Sequence, residues 1–407
     1  MRDGMKFVFV SNYLNHHQLP FCNAMYQELL GDFAFIQTEP MEEERIRMGW
    51  QDAGKVPYLK LYYENREECQ KLIDTGKVVL FGGSDDESYI WKRLKAGKPL
   101  IRYSERIYKT GQWKAVSPRG LLKKYRDHTR YRGKPVYMLC AGAYVPSDFH
   151  IVRAYPEKLL RWGYFPETVH YDPEKLMKGK IPGSILWAAR MIGWKHPELP
   201  VETAKYLADK GLDFHMTIVG GGQLEETVKK LAAEYGLEKK ISFPGYCTPD
   251  EVRRLMEQSE IYLVTSDRQE GWGAVVNEAM NSGCAVVADH MIGAVPFLIR
   301  HGKNGFIYRD GHKEELFSLT AGLLQNRSLR EEMGRSAVET VTGEWNAGEA
   351  AKRLAQLCVR LGFLEEADLK HTRLQGEEKF AVPWTGPCSP APVISERKMY
   401  AWLMEES

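Results

Sequence analysis

Short apolar runs recur along the chain, and each gap between them is long enough for one amphipathic helix. The first run is Lys6 to Ser11, followed after a loop by a helical stretch to about Leu30. Further runs at Phe33 to Gln37, Lys77 to Gly83, Pro99 to Ser104 and Pro135 to Ala141 alternate with helical spacing, as at Glu64 to Ile73 and Glu87 to Ala96. Continuous apolar strands separated by helices predict a parallel sheet buried on both faces, because crossover helices cover both sides of such strands. The pattern breaks between Arg161 and Pro182. The aromatic run Trp162, Tyr164, Phe165 suggests a last short strand, and Pro166, Pro173 and Pro182 suggest a linker, since proline interrupts helix and ladder alike. The expected boundaries are a first domain over 1–170, a linker over 171–182 and a second domain over 183–345.

In the second domain the alternation is cleaner. Strands are expected at Ser184 to Ala189, Phe214 to Val219, Ile241 to Phe243, Ile261 to Ser266, Ala285 to Ala288 and Phe306 to Tyr308. Helices are expected at Pro200 to Lys210, Leu224 to Tyr235, Pro249 to Gln258, Ala274 to Ser282 and His312 to Gln325. The fold class is therefore α/β, with two Rossmann-like doubly wound domains. Residues 346–407 form an extension: a helix from about Ala347 to Leu361, an irregular Pro383 to Pro392 stretch, and a final helix from Ser395 to Glu406 whose Met399, Trp402 and Leu403 share one face.

A length of 407 residues suffices for two such domains, each with its own core. A net charge of +2 argues against a general nucleic-acid binder. No window approaches the roughly 20 apolar residues that span a bilayer, and the first apolar run is too short for a signal peptide. Seven scattered cysteines without a C-x-x-C pair suggest reduced thiols in a cytoplasmic protein. Charge is uneven in one place. Arg106 to Lys134 carries ten Lys or Arg against the single acid Asp127, interleaved with Trp113, Leu121, Leu122, Tyr125 and Tyr131. Such a segment suits the surface of an anionic membrane, or is an ordinary solvated basic face.

The chemistry concentrates at Asp267 to Ala285, DRQEGWGAVVNEAMNSGCA, an acidic glycine loop between a strand and a helix that begins near Ala274. The first turn of a helix leaves N–H groups unpaired and favours an anion, and Gly271 and Gly273 let the backbone approach a ligand. Glu270 and Glu278 bracket the loop. Carboxylates accept pairs of hydroxyl hydrogen bonds, so phosphate donors flanked by hydroxyl acceptors describe a nucleotide-sugar site; alternatively, both acids only favour the helix terminus. Other strand ends offer Arg190, Gly193 and Lys195, then Gly220, Gly221 and Gly222, then Gly245 and Tyr246. The glycine triplet is not a dinucleotide fingerprint, because Glu225 occupies the third glycine position. In the first domain, Asn15, His16 and His17 follow the first strand, with Asn15 also a candidate helix cap. Glu105 and Arg106 follow another strand, as acceptor-hydroxyl and phosphate contacts or as a structural ion pair.

The Glu270 to Glu278 stretch, with its Gly271-Trp272-Gly273 turn and the small-residue helix through Ala279 and Gly283, resembles the donor motif of family-4 retaining glycosyltransferases. Arg190 and Lys195 match that family's arginine and lysine after the first strand of the nucleotide-binding domain. The resemblance implies a GT-B fold with two domains facing each other across a cleft, and a helix from Ala347 crossing back to the first domain. It implies retaining transfer of a sugar from a nucleoside-diphosphate sugar, with a UDP-sugar the expected donor, to a saccharide or lipid-linked acceptor in surface polysaccharide synthesis. Arg190 and Lys195 would stabilise the departing diphosphate, Glu270 the donor sugar and Glu278 the ribose. Gly193, Gly220 to Gly222, Gly245, Tyr246, Gly271, Trp272, Gly273 and Ala274 would line the donor, and Asn15, His16, His17, Glu105 and Arg106 the acceptor side. No metal and no cofactor is implied, the nucleotide-sugar being a co-substrate. A nucleotide-sugar epimerase of the same architecture and a non-enzymatic membrane-associated scaffold are the alternatives.

Overall fold

The computed structural model describes residues 5–41, 56–370 and 385–406. The chain forms two compact units, one of residues 1–167 with 344–394 and one of residues 168–343 with 395–407.

The first unit is built on a seven-stranded sheet in the order β3-β2-β1-β4-β5-β6-β7. The strands are β1 Phe7–Ser11, β2 Phe33–Gln37, β3 Leu59–Leu61, β4 Val78–Phe81, β5 Leu100–Ser104, β6 Val136–Ala141 and β7 Leu159–Trp162. Every pairing is parallel. β1, β2 and β4 are buried at every position, which is why they read as unbroken apolar runs. Strand order reverses beside β1, so the loops after β1 and β4 diverge and leave a crevice at the carboxyl ends. The Ala347–Arg360 helix packs on the Leu19–Glu28 helix. Below it Phe165 stacks on the buried Trp345 and meets Trp162 edge-on at 4.9 Å.

The second unit carries a six-stranded sheet in the order β10-β9-β8-β11-β12-β13. Its strands are β8 Ile181–Ala188, β9 His215–Val219, β10 Ile241–Gly245, β11 Ser259–Val264, β12 Ala285–Asp289 and β13 Phe306–Tyr308, all parallel. Here the order reverses between β8 and β11. The Pro249–Gln258 helix starts where local chemistry dictates: Thr248 and Glu251 close a capping box, and Pro249 takes a first-turn position that needs no N–H. The Glu396–Glu405 helix belongs to this unit, with Met399 and Leu403 buried and the Tyr400 hydroxyl donating to Glu315 at 3.0 Å.

Several expectations need correction. The stretch 171–182 is not a bare linker. It holds the Pro173–Lys178 helix, capped by the Asp172 carboxylate, which accepts from the Glu174 and Lys175 amides. Pro173 starts that helix rather than breaking it. The short strand before it is Leu159–Trp162, so it ends where the aromatic run Trp162 to Phe165 begins. Glu87 to Ala96 divides into a 3-10 turn, Glu87–Ile90, and an α-helix, Trp91–Ala96. Tyr131 is buried and takes no part in the exposed aromatic surface. The helices Val145–Ile151 and Arg327–Gly343 and the edge strand β3 were not legible from periodicity. Of the irregular Pro383 to Pro392 stretch, 383 and 384 lie outside the described residues.

Candidate functional site

In the second unit, the adjacency of β8 and β11 brings their two following loops together. Thr265 fastens them: its hydroxyl donates to the Lys195 carbonyl at 2.7 Å and accepts from the Trp187 indole N–H at 2.8 Å. The Asp267 amide adds a bond to the Trp194 carbonyl at 3.0 Å. On this frame the Lys195 ammonium lies 4.4 Å from the Trp194 ring centre and the Arg190 guanidinium 6.0 Å from it. One indole therefore gathers both cations. Lys195 is also bonded to the Glu270 carboxylate, with both side chains largely buried, whereas Arg190 is exposed.

His196 completes the loop. Its imidazole contacts Asp267 and Glu198, and these two carboxylates push its pKa up to about 10, so it is an imidazolium at neutral pH. Three cations thus stand in sequence proximity at the end of β8. The sequence assigned no role to Trp194, His196, Glu198 or Asp267, although Asp267 opens the acidic loop. The H-x-E spacing of His196 and Glu198 was visible there, but nothing local ties it to Asp267 on another strand.

The acidic loop ends at Gly273, whose φ of +88° is open to glycine, and the Ala274–Asn281 helix begins with no side chain capping its amides. A side chain at Gly273 would press on Ile292 at 2.8 Å and Glu270 at 3.3 Å. The turn is thus held against Glu270 by its lack of a Cβ. Glu278 is half-buried and, among the described residues, its carboxylate makes no hydrogen bond or ion pair. Burial raises its pKa, and Arg253 works against that shift. An unsatisfied carboxylate near an uncapped helix start can accept the hydroxyls of a ligand.

Other candidates have different roles. Trp272 is fully buried and donates from its indole to Asn277 at 2.9 Å, so it anchors the turn and offers no face to a donor. Its position between two glycines concealed this, because apolar burial is a tertiary property. Gly220 and Gly222 serve close backbone packing. A Cβ on Gly220 would lie 2.0 Å from the Ala189 carbonyl, and one on Gly222 2.7 Å from that of Met191. Gly221 accepts from the Met191 amide at 2.8 Å, so the triplet braces the Arg190 loop. Gly193 is exposed in the 3-10 turn Gly193–Lys195, Ala274 is half-buried, and Gly271 is buried. Gly245 ends the edge strand β10 with open space around it, and Tyr246 is exposed.

In the first unit the acceptor-side candidates separate. The Asn15 side chain accepts from the His17 and Gln18 amides at 3.0 and 3.1 Å, turning the chain into its helix. His16 and His17 pack on each other at 3.9 Å, and burial lowers the pKa of His16. Arg106 is buried, 3.6 Å from Asp148 and 5.1 Å from the Tyr144 ring centre, and is therefore a structural cation rather than a phosphate ligand. Glu105 accepts from the Tyr164 hydroxyl at 2.7 Å and pairs with Lys109. Glu105 and Arg106 border the crevice beyond β4 and β5; Asn15, His16 and His17 do not. Among the described residues no group of three or more His, Cys, Asp or Glu could hold a metal, and no helix is long and apolar enough to cross a membrane.

Residues 172–340 match the family model Glycosyl transferases group 1. The amylovoran biosynthesis glycosyltransferase AmsK of Erwinia amylovora is 27% identical over 226 residues, covering 52% of this chain and 55% of that one. The putative colanic acid biosynthesis glycosyltransferase WcaL of Salmonella typhimurium is 26% identical over 208 residues, covering 50% and 51%. The chain spans about half the length of the curated relatives it matches. Among solved structures, HepE of Anabaena in complex with UDP superposes with a TM-score of 0.64 at 14% identity, over 88% of this chain and 100% of that one. The two doubly wound sheets have the GT-B fold.

Proposed function

On the premise of the match of residues 172–340 to the group 1 glycosyltransferases, we propose that the protein is a retaining, metal-independent glycosyltransferase acting on a nucleoside-diphosphate sugar. The observation that carries this reading is the gathering of Arg190 and Lys195 on one Trp194 ring, on a loop stitched to the one that leads into an uncapped helix. Expelling a diphosphate concentrates negative charge on its leaving oxygen. Oriented donors aimed at such charge are each worth on the order of 10²–10³ in rate, and these side chains take the neutralising role that a divalent ion plays elsewhere. Glu278, whose carboxylate is unengaged among the described residues, accepts the ribose hydroxyls, and Glu270, held by its contact with Lys195, meets the donor sugar. As the bond from the anomeric carbon to the phosphate oxygen breaks, the acceptor oxygen bonds to the same face. Its proton passes to the departing phosphate, so configuration is retained and no further base is required.

The donor is a UDP-sugar, a reading supported by the UDP bound to HepE, which shares the fold. The acceptor is a saccharide or lipid-linked saccharide in surface polysaccharide synthesis, the setting named for AmsK and WcaL. The protein works in the cytoplasm and touches an anionic membrane through 106–134, where Trp113 and Leu122 are each 70% exposed among the basic residues. Flotation with anionic and neutral vesicles tests the contact; equal binding to both removes it. The enzymatic reading is tested by a thermal-shift screen across UDP-, GDP- and ADP-sugars, followed by incubation with radiolabelled donor alone. Stabilisation by one nucleotide class with no change in the donor sugar is expected. Interconversion of that sugar without an acceptor would mark an epimerase instead.

A further inference from the structure

The crevice of the first unit encloses about 570 Å³ at the carboxyl ends of β1, β4 and β5, within the range of small-molecule sites. Most charges around it are already engaged. Arg102 pairs with Glu87, Arg106 lies against Asp148, and Glu105 binds Tyr164 and Lys109. The cations left over lie on the Pro118–Asp127 helix, and among the described residues the acids Glu39 and Asp85 on the crevice lining also have no ion pair. Lys124 is half-buried at the crevice wall and, among the described residues, its ammonium has no hydrogen bond or ion pair. Burial and the neighbouring Lys123 push its pKa down, while Asp127 and Glu87 oppose this without reaching ion-pair distance.

His128 follows the helix and also borders the crevice. Its Nδ1 is 2.5 Å from an Arg102 nitrogen and 2.7 Å from the Tyr155 hydroxyl, which itself accepts from Arg102 at 3.0 Å. Guanidinium nitrogens only donate, so Nδ1 must carry the lone pair and the imidazole proton sits on Nε2. Burial and then Arg102 hold the ring neutral. The crevice therefore brings together the ammonium groups of Lys123 and Lys124, neither in an ion pair among the described residues, and one N–H donor on His128. The same crevice is lined by Asn12, Ser84 and Asp85, neutral or acidic groups suited to hydroxyls.

We propose that this crevice binds an anionic saccharide, its carboxylate or phosphate on Lys123, Lys124 and His128 and its hydroxyls on Asn12, Ser84 and Asp85. As the identity of the acceptor, this rests on the transferase reading; as a binding site, it does not. A lone half-buried ammonium is costly unless an anion completes it, and a neutral sugar could not.

The test is ligand-observed NMR titration of the full chain, with UDP saturating so that a donor site on the second unit is closed. The probes are methyl glucuronide, glucose 1-phosphate and methyl glucoside. At least one anionic probe should bind at least tenfold more tightly than the glucoside, and which one does so identifies the anion. Lys124→Gln should abolish that preference and the exposed Lys123→Gln should reduce it, each leaving UDP affinity unchanged. Equal binding of all three probes, no binding, or a preference that survives both substitutions overturns the proposal. Failure of UDP to bind while glucuronide does would instead count against the transferase reading.

Discussion

Replacing Lys195 with methionine separates the structural from the chemical part of the site. The ammonium is bonded to Glu270, and each side chain is 14% exposed. At an effective dielectric constant near 20, two charges in contact attract by about 4 kcal/mol, much of it offset by their desolvation. Removing the cation strands the Glu270 charge, so a net loss of about 1–3 kcal/mol is expected, or a fall of several degrees in Tm for a unit of this size. Glu270→Gln in the same chain removes the stranded charge and should restore most of that stability. Turnover should behave differently. If Lys195 meets the leaving diphosphate, losing it costs about 3–4 kcal/mol in the transition state, a drop of 10²–10³, and the second substitution cannot replace it. Denaturant titration and UDP release from UDP-sugar, each on the wild type, both single variants and the double variant, complete the cycle. The reasoning fails if the double variant regains turnover along with stability. It also fails if Lys195→Met slows release by less than about threefold.

Gly220→Ala should destabilise the second unit by roughly 3 kcal/mol or more in urea titration, because the new methyl would sit 2.0 Å from the Ala189 carbonyl at a φ of +123°. Asp289 is buried at the end of β12, and burial raises its pKa to about 6. The folded state therefore holds the proton more readily than the unfolded one, and this contribution is full below pH 3.8 and lost as pH rises through 6. Asp289→Asn should gain about 2–3 kcal/mol at pH 7.5 and nothing near pH 4, measured by denaturation at both values. Ending the chain after Ile394 removes buried Met399 and Leu403 and the Tyr400 contact with Glu315. A loss of about 2–4 kcal/mol should follow, with weaker UDP binding because Arg268 of the acidic loop, paired with Asp310 at 3.6 Å and Glu396 at 3.9 Å, loses the second of these. Unchanged stability would mean that the final helix is dispensable.

Much of the fold was legible because both sheets are parallel and buried on both faces. Phe33–Gln37 and Phe306–Tyr308 are strands over the residues their apolar runs marked, and Pro249–Gln258 is a helix over its expected span. Period and end chemistry suffice there, since each strand needs apolar atoms on both sides and the helix carries its own cap. Periodicity did not resolve β3, a half-buried edge strand, or the Pro173–Lys178 helix, whose proline signals both a break and a start.

The sequence by itself determined the alternation of strand and helix, the glycine turn before Ala274, and the residue types able to hold a diphosphate and hydroxyls. These depend on covalent geometry and on which chemical groups stand near one another along the chain. Only the tertiary structure decided that Trp194 gathers two cations, that Trp272 and Arg106 are interior, and that Lys124 makes no ion pair among the described residues. Pairing and burial depend on which strands lie side by side, and β8 and β11 meet although β9 and β10 separate them along the chain.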